Sequence, residues 1–184
     1  ANPLSKTAEG NFIEPLGHKT FVFDLPPGFD GGESAAGDVF NINYHGGIHS
    51  HMDGVAHFGW RGKLYNGFDF APKEDGFANV GVEHIAQHGI FGRGVLVDLP
   101  RLYELNHLPP GTVITAEHLE AWEKHTGTTI GSGDILLLRV GRWQIAKDKP
   151  NYDALETTAG IHASTGPWLK ARGVAAIGCD AISD

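Results

Sequence analysis

Three short apolar runs, separated by segments with helical patterning, constrain the fold of this chain more than any other feature. Between the first two runs, TAEHLEAWEKH places Thr115 at an N-cap position and Leu119 and Trp122 on one helical face. A second helical segment, HASTGPWLKARG, ends at Gly173 and precedes the third run. Interleaved strands and helices predict an α/β layer protein. The runs are GVLVDL (94–99), DILLLRV (134–140) and VAAIG (174–178).

Composition excludes several classes of protein. The 184 residues are 41% hydrophobic and 20% charged, and there is no apolar stretch near the roughly 18 residues that a membrane span needs. We therefore expect a soluble, cytoplasmic protein with no membrane partner. The net charge is −8, so nucleic acid is not an expected partner either. The lone cysteine, Cys179, excludes an internal disulfide framework and a cysteine-based zinc site.

The N-terminal part differs from the rest of the chain. Residues 1–37 contain Pro15, Pro26 and Pro27 and a glycine-rich run, which predicts an irregular arm with one strand near residues 19–23. A weakly alternating segment, DVFNIN, then opens the main predicted domain, residues 38–184. The last residues, AISD, come directly after a predicted strand, so we expect further sequence beyond Asp184.

Histidines are concentrated in one segment, HGGIHSHMDGVAHF, which holds four of the eleven in the chain. His49, His51 and Asp53 alternate with other residues, so on an extended chain they point to one side with Cα atoms roughly 6.5 Å apart. Imidazole and carboxylate are ligands for a divalent ion, which would lower the pKa of a bound water towards 7. The donor set does not decide between zinc and manganese. Clustered imidazoles without a cation would be costly if any were charged.

His57 lies four residues beyond Asp53, past a point where the chain can bend at Gly54. The bend would place the His57 imidazole beside the metal but outside its coordination shell, where a general acid or base belongs. The alternative for any single histidine here is a purely structural partner of a backbone carbonyl. For His45 the alternatives are a position in a solvated turn or a supporting contact to a metal ligand.

The stretch HSHMDGVAHF resembles the central part of the HxGTHxDxPxH signature of the cyclase family, which includes kynurenine formamidase and isatin hydrolase. The resemblance extends through GRGVLVDLP, ITAEHLEAW, GSGDILLLRVGRW and PWLKARGVAAIGCDAISD, and so covers roughly residues 38–184. It implies that His51 and Asp53 are metal ligands and that His57 is the catalytic histidine.

The sequence departs from the signature at several positions. Gly47 stands where the family has its first histidine, and Ser50 and Val55 replace its threonine and proline. Either His49 supplies the missing donor, which we favour, or His45 does, or the metal has one ligand fewer. The family also draws a histidine and a glutamate from further downstream, and nothing here corresponds to them, which fits a chain whose C-terminal part is missing.

The resemblance implies a swivelling β/β/α fold with a mixed sheet and flanking helices, assembled as a homodimer or homotetramer. It also implies a metal-dependent amidohydrolase that acts on a small aromatic N-formyl or cyclic amide. Phe58, Trp60 and Tyr65, in the aromatic stretch after the motif, could line the substrate pocket or fill the core under a loop. Two alternatives stay open: a lactone hydrolase or cyclase that uses the same site, and an inactive protein that binds a metal or ligand.

Overall fold

The computed structural model describes residues 17–24, 34–41, 50–71, 79–149, 152 and 157–181. The chain divides into two compact units, residues 1–89 and 90–184. The first contains β1 (Gly17–Asp24), β2 (Ser34–Asn41) and α1 (Glu83–Ala86). The second contains β3 (Gly94–Asp98), α2 (Leu99–Leu102), β4 (Val113–Ile114), α3 (Ala116–Thr126), β5 (Ile135–Arg139), α4 (Arg142–Asp148), β6 (Gly160–Ile161), α5 (Gly166–Arg172) and β7 (Ala176–Cys179). The predicted boundary between an arm and a domain at residue 37 stays a prediction.

In the first unit, β1 and β2 form an antiparallel ribbon. Phe21 lies opposite Gly37, and its ring covers that glycine so closely that an added Cβ would lie 2.6 Å from a ring carbon. On the other face the His18 imidazole stacks on Phe40 and contacts the carboxylate of Asp38 at 2.7 Å. This hydrogen bond lowers the pKa of Asp38. The strand predicted near residues 19–23 is confirmed as part of β1.

In the second unit, β3, β5 and β7 form a parallel sheet in the order β3-β5-β7, and β4 pairs with β6 in a second, short parallel sheet. The helix predicted after Thr115 is confirmed as α3, and α5 ends before Gly173, whose φ is +69°. Leu119 and Trp122 of α3 and Leu169 of α5 pack in one hydrophobic core with the sheet. The sheet contributes alternate residues to that core: Val95, Val97, Leu136 and Leu138. The expected α/β class with flanking helices is confirmed.

The two faces of this parallel sheet are buried to different extents. Leu96 and Leu137, which are register partners, are 59% and 43% exposed. Leu136, on the other face of β5, is 0% exposed. Because successive side chains of a strand point to opposite faces, the helices cover one face and leave much of the other accessible.

The entry to β5 is fixed by a buried carboxylate. Arg93 donates from Nε to Oδ1 of Asp134 at 2.8 Å and from Nη2 to Oδ2 at 2.6 Å, and the backbone N–H of Gly131 donates to Oδ2 at 2.7 Å. The guanidinium, followed by the backbone N–H, lowers the pKa of Asp134 to about 2. Among the helices within the described ranges, none combines the length and the hydrophobicity that crossing a bilayer requires.

Candidate active site

The histidine motif begins as irregular chain and then forms a single turn. Residues 50–54 have no regular secondary structure, and a 3₁₀ turn spans Val55–His57. Gly54 and Ala56 are buried, whereas Val55 is 54% exposed. Burial of these two small residues anchors the turn to the first unit.

Two of the predicted site histidines lie close to one carboxylate oxygen of Asp53, the third predicted residue. Oδ1 of Asp53 lies 3.7 Å from Nε2 of His51 and 3.9 Å from Nε2 of His57. The side chains of His51, Asp53 and His57 are 28%, 37% and 41% exposed, so a small molecule could reach them. The turn therefore places the His57 imidazole beside the pair that the alternating pattern had predicted.

The separation between His51 and Asp53 suits a shared cation better than a direct hydrogen bond. At 3.7 Å, the two atoms are too far apart for an N–H···O hydrogen bond. Two ligands that each lie about 2.0 to 2.2 Å from one tetrahedral ion would be roughly 3.3 to 3.6 Å apart, which is close to the 3.7 Å observed. His51 and Asp53 thus fit as two ligands of a divalent ion.

His51 and Asp53 alone do not make a complete metal site. Within the described residues there is no group of three or more His, Cys, Asp or Glu side chains arranged to hold an ion. His49, predicted as the third ligand, lies outside the described residues, as do His45 and Gly47. The assignment of His49 therefore stays a prediction.

The aromatic stretch after the motif forms a compact loop. Trp60 and Lys63 exchange backbone hydrogen bonds of 2.8 and 3.0 Å, and the ring of Phe70 covers Gly59. Phe58, Trp60 and Tyr65 are 82%, 76% and 62% exposed. This exposure argues against a core-filling role for the three, and their assignment to a substrate pocket stays a prediction.

One feature of the site has no clear signal in the motif. The carbonyl oxygen of Gly54 accepts a hydrogen bond from the backbone N–H of His57 at 3.3 Å and also lies 3.3 Å from Nδ1 of the same residue. From the motif, Gly54 is predicted only to let the chain bend. The glycine between Asp53 and His57 could have indicated a close backbone contact.

Comparisons with known proteins agree with the motif. The Cyclase family model, described as "Putative cyclase", matches residues 8–183. A crystal structure described as that of a novel cyclase superposes with a TM-score of 0.67 at 24% sequence identity. The match covers 91% of this chain and 57% of that chain, so this chain spans a little over half the length of that structure. No curated protein matches this sequence. Because the family model matches nearly the whole sequence, the chain belongs to the cyclase family.

Proposed function

We propose that this protein is a metal-dependent amidohydrolase that cleaves a small aromatic N-formyl or cyclic amide. The observation that carries the proposal is the convergence of His51 and His57 on Oδ1 of Asp53, at 3.7 and 3.9 Å. Membership of the cyclase family supports an enzymatic role, and the match of HSHMDGVAHF to the family signature supports this choice of residues.

His51 and Asp53, with His49 as the favoured third ligand, hold a zinc or manganese ion in this proposal. The ion supplies Lewis-acid polarisation of a carbonyl and lowers the pKa of water. The carboxylate of Asp53 also faces His57, with Oδ1 3.9 Å from Nε2.

His57 performs the proton transfers. Its Nε2 accepts a proton from the attacking water and then donates it to the leaving nitrogen, so that the C–N bond breaks and the amine departs neutral. The exposed Phe58, Trp60 and Tyr65 side chains supply apolar surface for an aromatic substrate. Such surface favours a flat, apolar ring next to the scissile amide over a charged aliphatic chain.

Metal analysis and substrate assays test the proposal together. The purified protein is analysed for bound metal and then incubated with an N-formyl aromatic amine, a cyclic aromatic amide and an aromatic lactone. We expect at least about one bound ion per chain and hydrolysis of at least one of the two amides. His57→Ala should reduce kcat by about 10²- to 10⁴-fold, and Asp53→Asn should lower both metal content and turnover.

His125→Ala is the matched control, because His125 is an exposed histidine at the end of α3, in the other unit. It should change neither metal content nor turnover. Turnover of the lactone alone would favour the alternative of a lactone hydrolase or cyclase. Metal binding without turnover of any of the three compounds would favour an inactive binding protein, for which the glycine at position 47 is the supporting feature.

Assembly as a homodimer or homotetramer is part of the same proposal. The β1-β2 ribbon supports it, because Phe21, Phe23 and Val39 lie on one face and are 44%, 46% and 45% exposed. Exposed apolar surface of this kind is common at protein–protein interfaces. Light scattering on the purified protein measures the subunit number, and a strictly monomeric mass would contradict this part.

A further inference from the structure

The contact between His57 and Gly54 bears on which nitrogen of the imidazole carries the proton. A carbonyl oxygen can only accept a hydrogen bond, so a hydrogen bond from the ring to the Gly54 oxygen, 3.3 Å away, requires the proton to be on Nδ1. In the neutral ring, Nε2 then carries the lone pair. Nε2 is the atom that faces Asp53, at 3.9 Å. Neutral imidazole in water prefers the opposite tautomer, so the protein has to impose this one.

The position of Gly54 is in turn fixed by a distant part of the first unit. An ideal Cβ on Gly54 would lie 2.7 Å from the backbone N of Val82, 3.0 Å from the carbonyl carbon of Gly81 and 3.2 Å from the carbonyl oxygen of Val80. All three atoms belong to the backbone and cannot rotate away as a side chain could. Residues 80–82 therefore pack directly against Gly54, and only glycine allows this approach.

The packing segment contains a strained residue. Val80 has φ +56°, in the left-handed region, which is a genuine outlier for a β-branched side chain. In the described part of the chain the other non-glycine residues with positive φ are Arg61, Asn66 and Glu104, none of them β-branched. Strain of this kind persists only where the surrounding structure holds it in place, and it is concentrated at functional sites.

We propose that residues 80–82 are a positioning element for His57. By packing on Gly54 they hold its carbonyl oxygen in place, and that oxygen holds His57 as the Nδ1–H tautomer with Nε2 directed towards Asp53. The catalytic meaning of this arrangement rests on the proposed function, because only then must Nε2 accept a proton. Gly54 and Val80 touch no reacting atom and act through His57.

The tautomer can be measured directly. Long-range ¹H–¹⁵N correlation spectra of the purified protein, recorded at a pH where imidazoles are neutral, distinguish the Nδ1–H from the Nε2–H form. The His57 signals are assigned by their loss in His57→Ala. We expect His57 to be predominantly Nδ1–H. Finding the Nε2–H form in the native protein would overturn the proposal, and this measurement needs no other variant to fold.

A pair of glycine substitutions tests the role of the packing. Gly54→Ala should displace the backbone contact and raise the Nε2–H fraction of His57, and it should lower kcat several-fold more than it changes KM. Gly166→Ala is the control, because nothing lies within 4 Å of the position of its added Cβ, and it should leave the tautomer unchanged. A folded Gly54→Ala protein with the native tautomer would refute the role of residues 80–82.

The spectroscopic result separates this inference from the proposed function. The tautomer is read without substrate, so an Nδ1–H form that shifts in Gly54→Ala supports the positioning element even if no amide is hydrolysed. Turnover that depends on His57, combined with an Nε2–H ring, would support the function and overturn the positioning element.

Discussion

Leu136 and Leu137 are adjacent on β5 and face opposite sides of the parallel sheet, so alanine at each position measures how differently the two sides are buried. Leu136 is 0% exposed and belongs to the core with α3 and α5, whereas Leu137 is 43% exposed. The two substitutions remove the same atoms from the same strand. Any difference between them therefore comes from burial and not from strand propensity.

The expected magnitudes follow from that burial. Leu136→Ala should leave a cavity and lower the free energy of unfolding by about 3 kcal/mol, within the usual range of roughly 2 to 5 for buried leucines. Full burial of leucine is worth about 1.5 to 3 kcal/mol, and Leu137 realises a little over half of it without a closed cavity, so Leu137→Ala should cost about 1 kcal/mol. For a chain of this size these values correspond to losses of roughly 6 to 12 °C and 2 to 4 °C in Tm.

Tryptophan fluorescence during urea unfolding provides the assay. Of the four tryptophans, Trp60 alone lies in the first unit, so a Trp60→Phe background makes the signal report on residues 90–184. Equal losses of unfolding free energy in Leu136→Ala and Leu137→Ala would refute the reasoning. They would mean that the face of the sheet carrying Leu96 and Leu137 is as well covered in solution as the opposite face.

Three further predictions concern acid stability, a helix end and the metal. Arg93 and a backbone N–H hold the pKa of Asp134 at about 2, below its unfolded value of about 3.9. The contribution of Asp134 to stability is therefore complete above about pH 4 and is lost as the pH falls towards 2. In Asp134→Asn, the free energy of unfolding measured in urea should depend less on pH over that interval. Gly173→Ala should lower the free energy of unfolding by about 1 kcal/mol or more, since φ is +69° and the added Cβ would lie 2.9 Å from Oγ of Ser132. Thermal melts measure this loss, and Gly166→Ala, as the control, should not lower Tm. Chelation should abolish amide turnover and lower Tm, and zinc or manganese should restore both; full activity after exhaustive chelation would contradict a metal-dependent reaction.

Much of the second unit could be predicted from the sequence because its signals are local. The apolar runs became β3, β5 and β7, and Gly173 ended α5 because it adopts the left-handed conformation that a helix end favours. The ribbon of the first unit was harder to predict. The weakly alternating segment DVFNIN begins at residue 38, but β2 begins at Ser34, since pairing with β1 recruits small residues that have no strand pattern of their own.

The candidate site shows the same division between local and distant causes. Alternation along an extended chain predicted that His51 and Asp53 would share one side, and the spacing of four residues predicted that a bend would return His57 to them; the observed separations of 3.7 and 3.9 Å fit both. The orientation of the His57 ring has a different origin. It depends on Gly54, and the conformation of Gly54 depends on backbone atoms of Val80 and Val82, which no local pattern links to the motif. A left-handed valine is disfavoured by its own side chain, so propensity predicts against the conformation that this packing requires. Spacing within a motif can therefore indicate which side chains meet, whereas the tautomer that we propose for His57 depends on tertiary contacts.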